Sequence, residues 1–103
     1  MKSITVEKVK ARLEAGEQLN LVDVREPFEH ENFNIGGILL PLGNVQAARI
    51  DDIEDFKGKE VICYCRSGIR SYTASVILEQ LGFTDVANLE GGMLEWHAKF
   101  VQQ

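Results

Sequence analysis

Val61-Ile62-Cys63-Tyr64-Cys65 runs directly into Arg66-Ser67-Gly68-Ile69-Arg70-Ser71, and the reading of that junction decides the fold. The first segment is the longest uninterrupted apolar run in the chain, bounded by Lys57-Gly58-Lys59 before it and by a polar, glycine-containing stretch after it. That is the pattern of a central strand buried on both faces. Beyond the junction Ala74, Ile77, Leu78 and Leu81 repeat at helical spacing and Gly82 stands where a C′ glycine belongs, so the spacing predicts a helix over 71–81.

Outward from this pair the same alternation recurs. Thr5 precedes Val6, Val9 and Leu13, a helical stripe that Thr5 would cap and Gly16 would end. Leu19 to Val24 reads as a strand whose end carries Asp23, Arg25 and Glu26 before Pro27 stops pairing. Ile38-Leu39-Leu40, between Gly36-Gly37 and Pro41, reads as a short buried strand. Asn44 to Phe56 is only loosely periodic, and Asp51-Asp52 could equally cap a second turn there. Val86 to Leu89 is the last strand, and Gly91-Gly92 lead into a helix holding Met93, Leu94, Trp96 and Phe100; Met93, Trp96 and Phe100 are assigned to the core by their spacing. Alternating strands and helices of these lengths imply βαβ crossovers, hence an α/β fold with a mostly parallel sheet and helices on both faces.

Composition narrows the function. The chain has 103 residues, with 45% apolar and 26% charged residues, which fits one compact unit and excludes disordered and low-complexity classes. A five-residue apolar run falls far short of the ~20 needed to cross a bilayer, so no membrane partner is expected. Lys2, Glu7, Lys8, Lys10 and Arg12 leave no apolar stretch for a signal peptide, and a cytoplasmic location is the expectation. A net charge of −5 gains nothing from counterion release, which argues against nucleic acid as a partner. Cys63 and Cys65 are one residue apart, so a bridge between them would close almost no loop. Their Cα atoms would stand ~6.6 Å apart on a strand, at the long limit for a disulfide.

The chemistry concentrates at the junction. Cys65 to Ser71 falls at the carboxyl edge of the sheet, where open α/β folds bind ligands. A loop that curls there can aim its backbone N–H groups inward as an anion nest, with the positive end of the next helix behind it. Arg66 and Arg70 give the segment a local charge of +2 with no acid, a field expected to lower the Cys65 pKa and hold a thiolate. Cys63, inside the strand, reads as a small core residue rather than a resolving thiol. His30 and His97 read as surface or capping residues, and no metal site is expected from them and the cysteines. Asp23 and Arg25 read as strand-end polar groups that brace the active loop. Arg70 is ambiguous: it binds substrate, or it pairs with Asp23 or Glu26 and fixes the loop.

Three motifs resemble the rhodanese family: Asp23-Val24-Arg25-Glu26-Pro27 with Glu29 and Gly36 behind it, Cys65-Arg66-Ser67-Gly68-Ile69-Arg70-Ser71, and Gly91-Gly92-Met93-Leu94-Glu95-Trp96. The resemblance covers nearly the whole chain. It implies a single rhodanese domain over 1–103, with a five-stranded, mostly parallel sheet flanked by helices. It also implies a sulfurtransferase whose catalytic Cys65 takes sulfur from thiosulfate or a similar anion, holds it as a persulfide and passes it to cyanide, a thiol, or a dithiol protein such as a thioredoxin. Arg66, Ser67, Gly68, Ile69 and Arg70 would bind the substrate, and no metal, nucleotide or flavin is required. One departure is visible: the family's glycine-alanine turn, usually preceded by histidine, isoleucine and proline, is here Asn34-Ile35-Gly36-Gly37. Two rivals stand beside this reading. A cysteine phosphatase or arsenate reductase also runs from a cysteine to an arginine ahead of a helix, but brackets five residues where Cys65 and Arg70 bracket four. A rhodanese-like binding or regulatory module keeps the fold but often loses the cysteine that is present here.

Overall fold

The computed structural model describes residues 1–101. In chain order it comprises β1 (Lys2–Ile4), α1 (Val6–Glu14), β2 (Leu21–Asp23), α2 (Pro27–Asn32), β3 (Ile38–Leu39), α3 (Leu42–Gln46), a 3-10 segment (Asp51–Phe56), β4 (Glu60–Tyr64), α4 (Ile69–Gln80), β5 (Asp85–Leu89) and α5 (Gly92–Phe100). The strands form one sheet in the order β1-β5-β4-β2-β3, and every pairing is parallel.

The apolar run at β4 takes the centre of the sheet because it can fill cores on both faces. Val61, Cys63 and Cys65 point into one layer with Val22, Val24, Ala74, Leu78 and Val86, roofed by α3, the 3-10 segment and α4. Ile62 and Tyr64 point the other way, against Val6 and Val9 of α1 and Met93 and Trp96 of α5. Strand alternation therefore sends neighbouring residues to opposite cores. Among the described residues, no helix is long and apolar enough to cross a membrane.

The Thr5 cap is present, its hydroxyl accepting from the Lys8 amide at 3.2 Å, and Gly16 turns at φ +86°. Met93 and Trp96 are buried and Phe100 is half-buried, whereas Leu94 is exposed. β1 escaped the sequence reading: three residues, of which only Ile4 is buried, carry no periodicity, and the strand forms by pairing Lys2 with Ala87 and Ile4 with Leu89. α2 escaped as well, because it buries nothing; Pro27, read as ending a strand, sits at the helix's first turn, where its missing N–H costs no bond. The undecided 44–56 stretch holds the end of α3 and the 3-10 segment. α4 begins at Ile69 rather than Ser71, since Gly68 at φ +100° bends the loop straight into the helix.

Gly37, where the family has alanine, is explained by a neighbour. A Cβ there would fall 2.7 Å from the Tyr64 ring, which occupies that space.

Candidate active site

The sheet order brings the carboxyl ends of β2, β4 and β5 side by side, and the site is built where they stop. The chain leaves β4 at Cys65 and re-enters regular structure at Ile69. Gly68, in the left-handed region, closes the loop so that its N–H donates to Cys65 Sγ at 3.1 Å, and the Ser71 N–H donates to the same sulfur at 3.3 Å. The Ser71 hydroxyl lies 3.3 Å from the sulfur.

The outer side of the loop is pinned by α5. The Met93 and Leu94 amides donate to the Cys65 and Arg66 carbonyls, both at 2.9 Å. These are amides of a helix's first turn, which have no partner within the helix. Gly92 lets the two backbone segments meet: at φ +54°, a Cβ would stand 2.5 Å from the Cys65 carbonyl oxygen and 2.6 Å from that of Arg66. With carbonyls held outward and amides turned inward, the loop presents a nest of donors to the thiol.

The electrostatics follow from this geometry. Burial opposes ionisation of Cys65, but the Ser71 hydroxyl, when it turns its proton to the sulfur, and the amides of Ser71, Gly68 and Ser67 outweigh it and bring the thiol below its ordinary value. The lowering agrees with the sequence reading, whereas its main source is hydrogen bonding within the loop rather than the field of two arginines. Cys63 differs: burial pushes its thiol up to about 12, against a smaller lowering influence of the nearby Ser75 hydroxyl. Both cysteines are free.

The arginines part company. Arg66 is exposed and, among the described residues, has no ion pair. It lines a cleft of about 420 Å³ together with Arg25, Phe28, Met93 and Leu94. Arg70 pairs with neither Asp23 nor Glu26; its guanidinium forks onto Glu29 of α2 at 2.7 and 2.9 Å. That hydrogen bond lowers the Glu29 carboxyl to about 2. Ser67 and Ile69 are exposed at the mouth of the loop, and Gly68 shapes its turn.

Among the described residues, Asp23 and Arg25 make no hydrogen bond or ion pair to the cysteine loop. Asp23 is fully buried; burial raises its carboxyl, and Arg25 and His30 more than reverse this to leave it below its usual range. Arg25 reaches Asp23 through Nε at 2.9 Å and Nη2 at 2.8 Å, and it also donates to the Phe33 carbonyl at 2.6 Å. His30 Nδ1 lies 2.8 Å from Asp23, which makes it part of this cluster rather than a surface residue. The cluster fixes α2, and α2 reaches the loop through the contact of Glu29 with Arg70. Sequence reasoning also passed over Asn88, which bonds both Ser71 and Gly68, because a polar residue in a strand has no signal of its own.

Comparison with known proteins assigns the family. The model of the rhodanese-like domain matches residues 5–99, so the chain belongs to the rhodanese-like domain family. It is 39% identical over 94 residues to a protein of Allochromatium vinosum named "Sulfurtransferase", covering 90% of this chain and 85% of that one. It is 35% identical over 97 residues to the "Putative sulfur carrier protein YrkF" of Bacillus subtilis; that match covers 93% of this chain but about half, 51%, of the relative's length. The crystal structure of a rhodanese-like domain protein from Staphylococcus aureus superposes with a TM-score of 0.80 at 33% identity, covering 93% of this chain and 91% of the other.

Proposed function

We propose that this chain, acting as a single rhodanese domain over 1–103, is a sulfurtransferase that carries a sulfane sulfur on Cys65 and moves it from thiosulfate, or a similar anionic donor, to cyanide or a thiol. Family membership and relatives named as sulfurtransferases support sulfur transfer in general. The observation that carries the finer reading is the pair of loop amides aimed at a buried Cys65 sulfur. A thiol drawn toward ionisation by fixed donors needs no general base.

In the proposed first step the Cys65 thiolate attacks the outer sulfur of thiosulfate. The sulfur–sulfur bond of the donor breaks, sulfite leaves with the electron pair, and the outer sulfur stays as the persulfide. The inward amides stabilise its negative charge. Arg66, exposed at the mouth and without an ion pair among the described residues, offers a charge-assisted hydrogen bond to the sulfonate oxygens. Arg70 is assigned to holding α2 against the loop through Glu29, with Asp23 and Arg25 bracing α2 behind it. In the second step the acceptor attacks the outer sulfur and Cys65 departs as thiolate. A protein thiol, such as that of a thioredoxin, suits the surroundings: Phe28 and Leu94 on one side of the loop and Ile69 and Tyr72 on the other are exposed. Apolar patches of this kind mark protein contacts.

A phosphatase reading finds less support, since Arg70 already spends its fork on Glu29. Incubation with thiosulfate alone, followed by intact mass analysis, tests the proposal. The protein should gain one sulfur atom at Cys65, and cyanide should remove it as thiocyanate. A folded Cys65→Ser variant should do neither. Efficient hydrolysis of an aryl phosphate with no retained sulfur would overturn the assignment, and a folded wild type inert in both assays would favour a binding module.

A further inference from the structure

Asn88, near the end of β5, meets the cysteine loop at two points. Its Nδ2 donates to the Gly68 carbonyl at 3.1 Å, and its Oδ1 accepts from the Ser71 hydroxyl at 2.5 Å. The Gly68 carbonyl can only accept, so the amide has one orientation: NH2 toward Gly68, oxygen toward Ser71. Asn88 is 7% exposed, which leaves little room for water to substitute for either partner.

The Ser71 hydroxyl carries a single proton and has two neighbours that can take it, Asn88 Oδ1 and Cys65 Sγ at 3.3 Å. While the proton lies toward Asn88, Ser71 shows only lone pairs to the sulfur. That arrangement accepts from an S–H and disfavours a thiolate. Once Cys65 has released its proton to solvent, the hydroxyl can turn to the sulfur, but Asn88 Oδ1 then loses its donor in a buried place, which is costly.

We propose that Asn88 is a positioning residue for Cys65: it competes with the sulfur for the Ser71 proton and so keeps the thiol less acidic than the loop alone would make it. The consequence is a more basic sulfur, and thiolate nucleophilicity falls as thiol pKa falls. The inference rests on reading Cys65 as the nucleophile, but its test reads ionisation rather than turnover. Elements around Cys65 carry other titratable groups: Arg66 in the loop, Arg70 on α4 with Glu29 of α2, Cys63 on β4, Glu90 after β5, and Glu95 and His97 on α5. None of these is altered in the variants below.

The experiment is the pH profile of iodoacetamide alkylation, mapped to Cys65 by mass, for Asn88→Leu and Asn88→Ala, each alone and combined with Ser71→Ala. Cys63 does not interfere, since it is fully buried, its thiol is pushed up by that burial, and the alkylated residue is identified by mass. Each single variant should lower the Cys65 pKa by about one unit, the effect of one added hydrogen bond to the charged form. In the Ser71→Ala background the shift should vanish, because there is no proton left to redirect. Asn88→Asp, which restores the acceptor, should bring the pKa back to the wild-type value or above. If leucine prevents folding, alanine carries the same cycle. An unchanged or raised pKa in the folded single variants, or an equal shift with and without the Ser71 hydroxyl, overturns the proposal. Failure of wild-type sulfur transfer would instead overturn the functional reading and leave the titration standing.

Discussion

Cys63 and Cys65 share a strand run and a core layer, yet their thiols move in opposite directions, one up to about 12 and the other below its ordinary value. By surface exposure the two are alike, at 0% and 1%. Cys63 nevertheless lies deeper, at the centre of the sheet, and burial is the main cause of its raised thiol. Donors add to that difference. In the strand interior the backbone N–H groups are used up in the ladder, where Cys63 pairs with Val22 on one side and Asn88 on the other. The nearby Ser75 hydroxyl donates instead to the Ser71 carbonyl at 2.7 Å. Two residues later the chain has left the sheet, and the freed amides of Gly68 and Ser71 converge on the sulfur. The same side chain is pushed in opposite directions by its depth in the sheet and by whether the surrounding backbone still has amides to offer.

The contrast can be broken most severely at Cys65 itself: the folded Cys65→Ser variant should lose sulfur transfer completely, measured as thiocyanate release. Next comes Gly92→Ala. Its Cβ would overlap the Cys65 and Arg66 carbonyls, so the loop must retreat from α5. A loss of about 1–3 kcal/mol in thermal unfolding is expected from backbone strain alone, together with a Cys65 alkylation profile shifted toward higher pH. A full-rate variant with an unshifted profile would show that pinning by α5 is dispensable.

The arginines sharpen the comparison at intermediate size. Arg66→Ala should reduce kcat/KM for thiosulfate by about 1–3 kcal/mol, as expected for a charge-assisted contact. Arg70→Ala should act through the loop's position, and Glu29→Gln should then reproduce much of its effect. If Glu29→Gln leaves kinetics intact while Arg70→Ala does not, Arg70 contacts the substrate directly.

Glu29 also gives a pH signature. Its folded value, about 2, lies below the ordinary 4.5, so the stability it contributes is fully present above 4.5 and is lost as pH falls toward about 2. Melting temperatures followed through that window should fall less steeply in Glu29→Gln than in wild type, and parallel curves would remove the pair from the stability account. The smallest effect belongs to Cys63→Ala. It should keep most activity and lose about 1 kcal/mol of stability for a small buried deletion. Inactivity in a folded Cys63→Ala protein would mean that both thiols take part.

Local signals were read correctly because their causes are local. The apolar run at β4, the spacing on α4 and the capping of α1 by Thr5 express forces between residues a few positions apart, and the same holds for the proximity of Cys65 to the amides of Gly68 and Ser71. Short elements failed for the matching reason: β1 and α2 bury too few side chains to leave a period, and they exist only because β5 and the Asp23 cluster receive them.

By itself the sequence determined the α/β alternation, the central strand and the loop that follows it, since hydrophobic period and turn chemistry are properties of contiguous residues. Only the tertiary structure decided that Arg70 joins Glu29, 41 positions away, that Asn88 meets Ser71, 17 away, and that Gly92 lies against Cys65. Partner choice of that kind depends on the order β1-β5-β4-β2-β3, which sets the ends of β2, β4 and β5 next to one another. A parallel crossover can join strands far apart in the chain, so which polar side chains meet at the sheet's edge is fixed by the path of the backbone and not by their spacing.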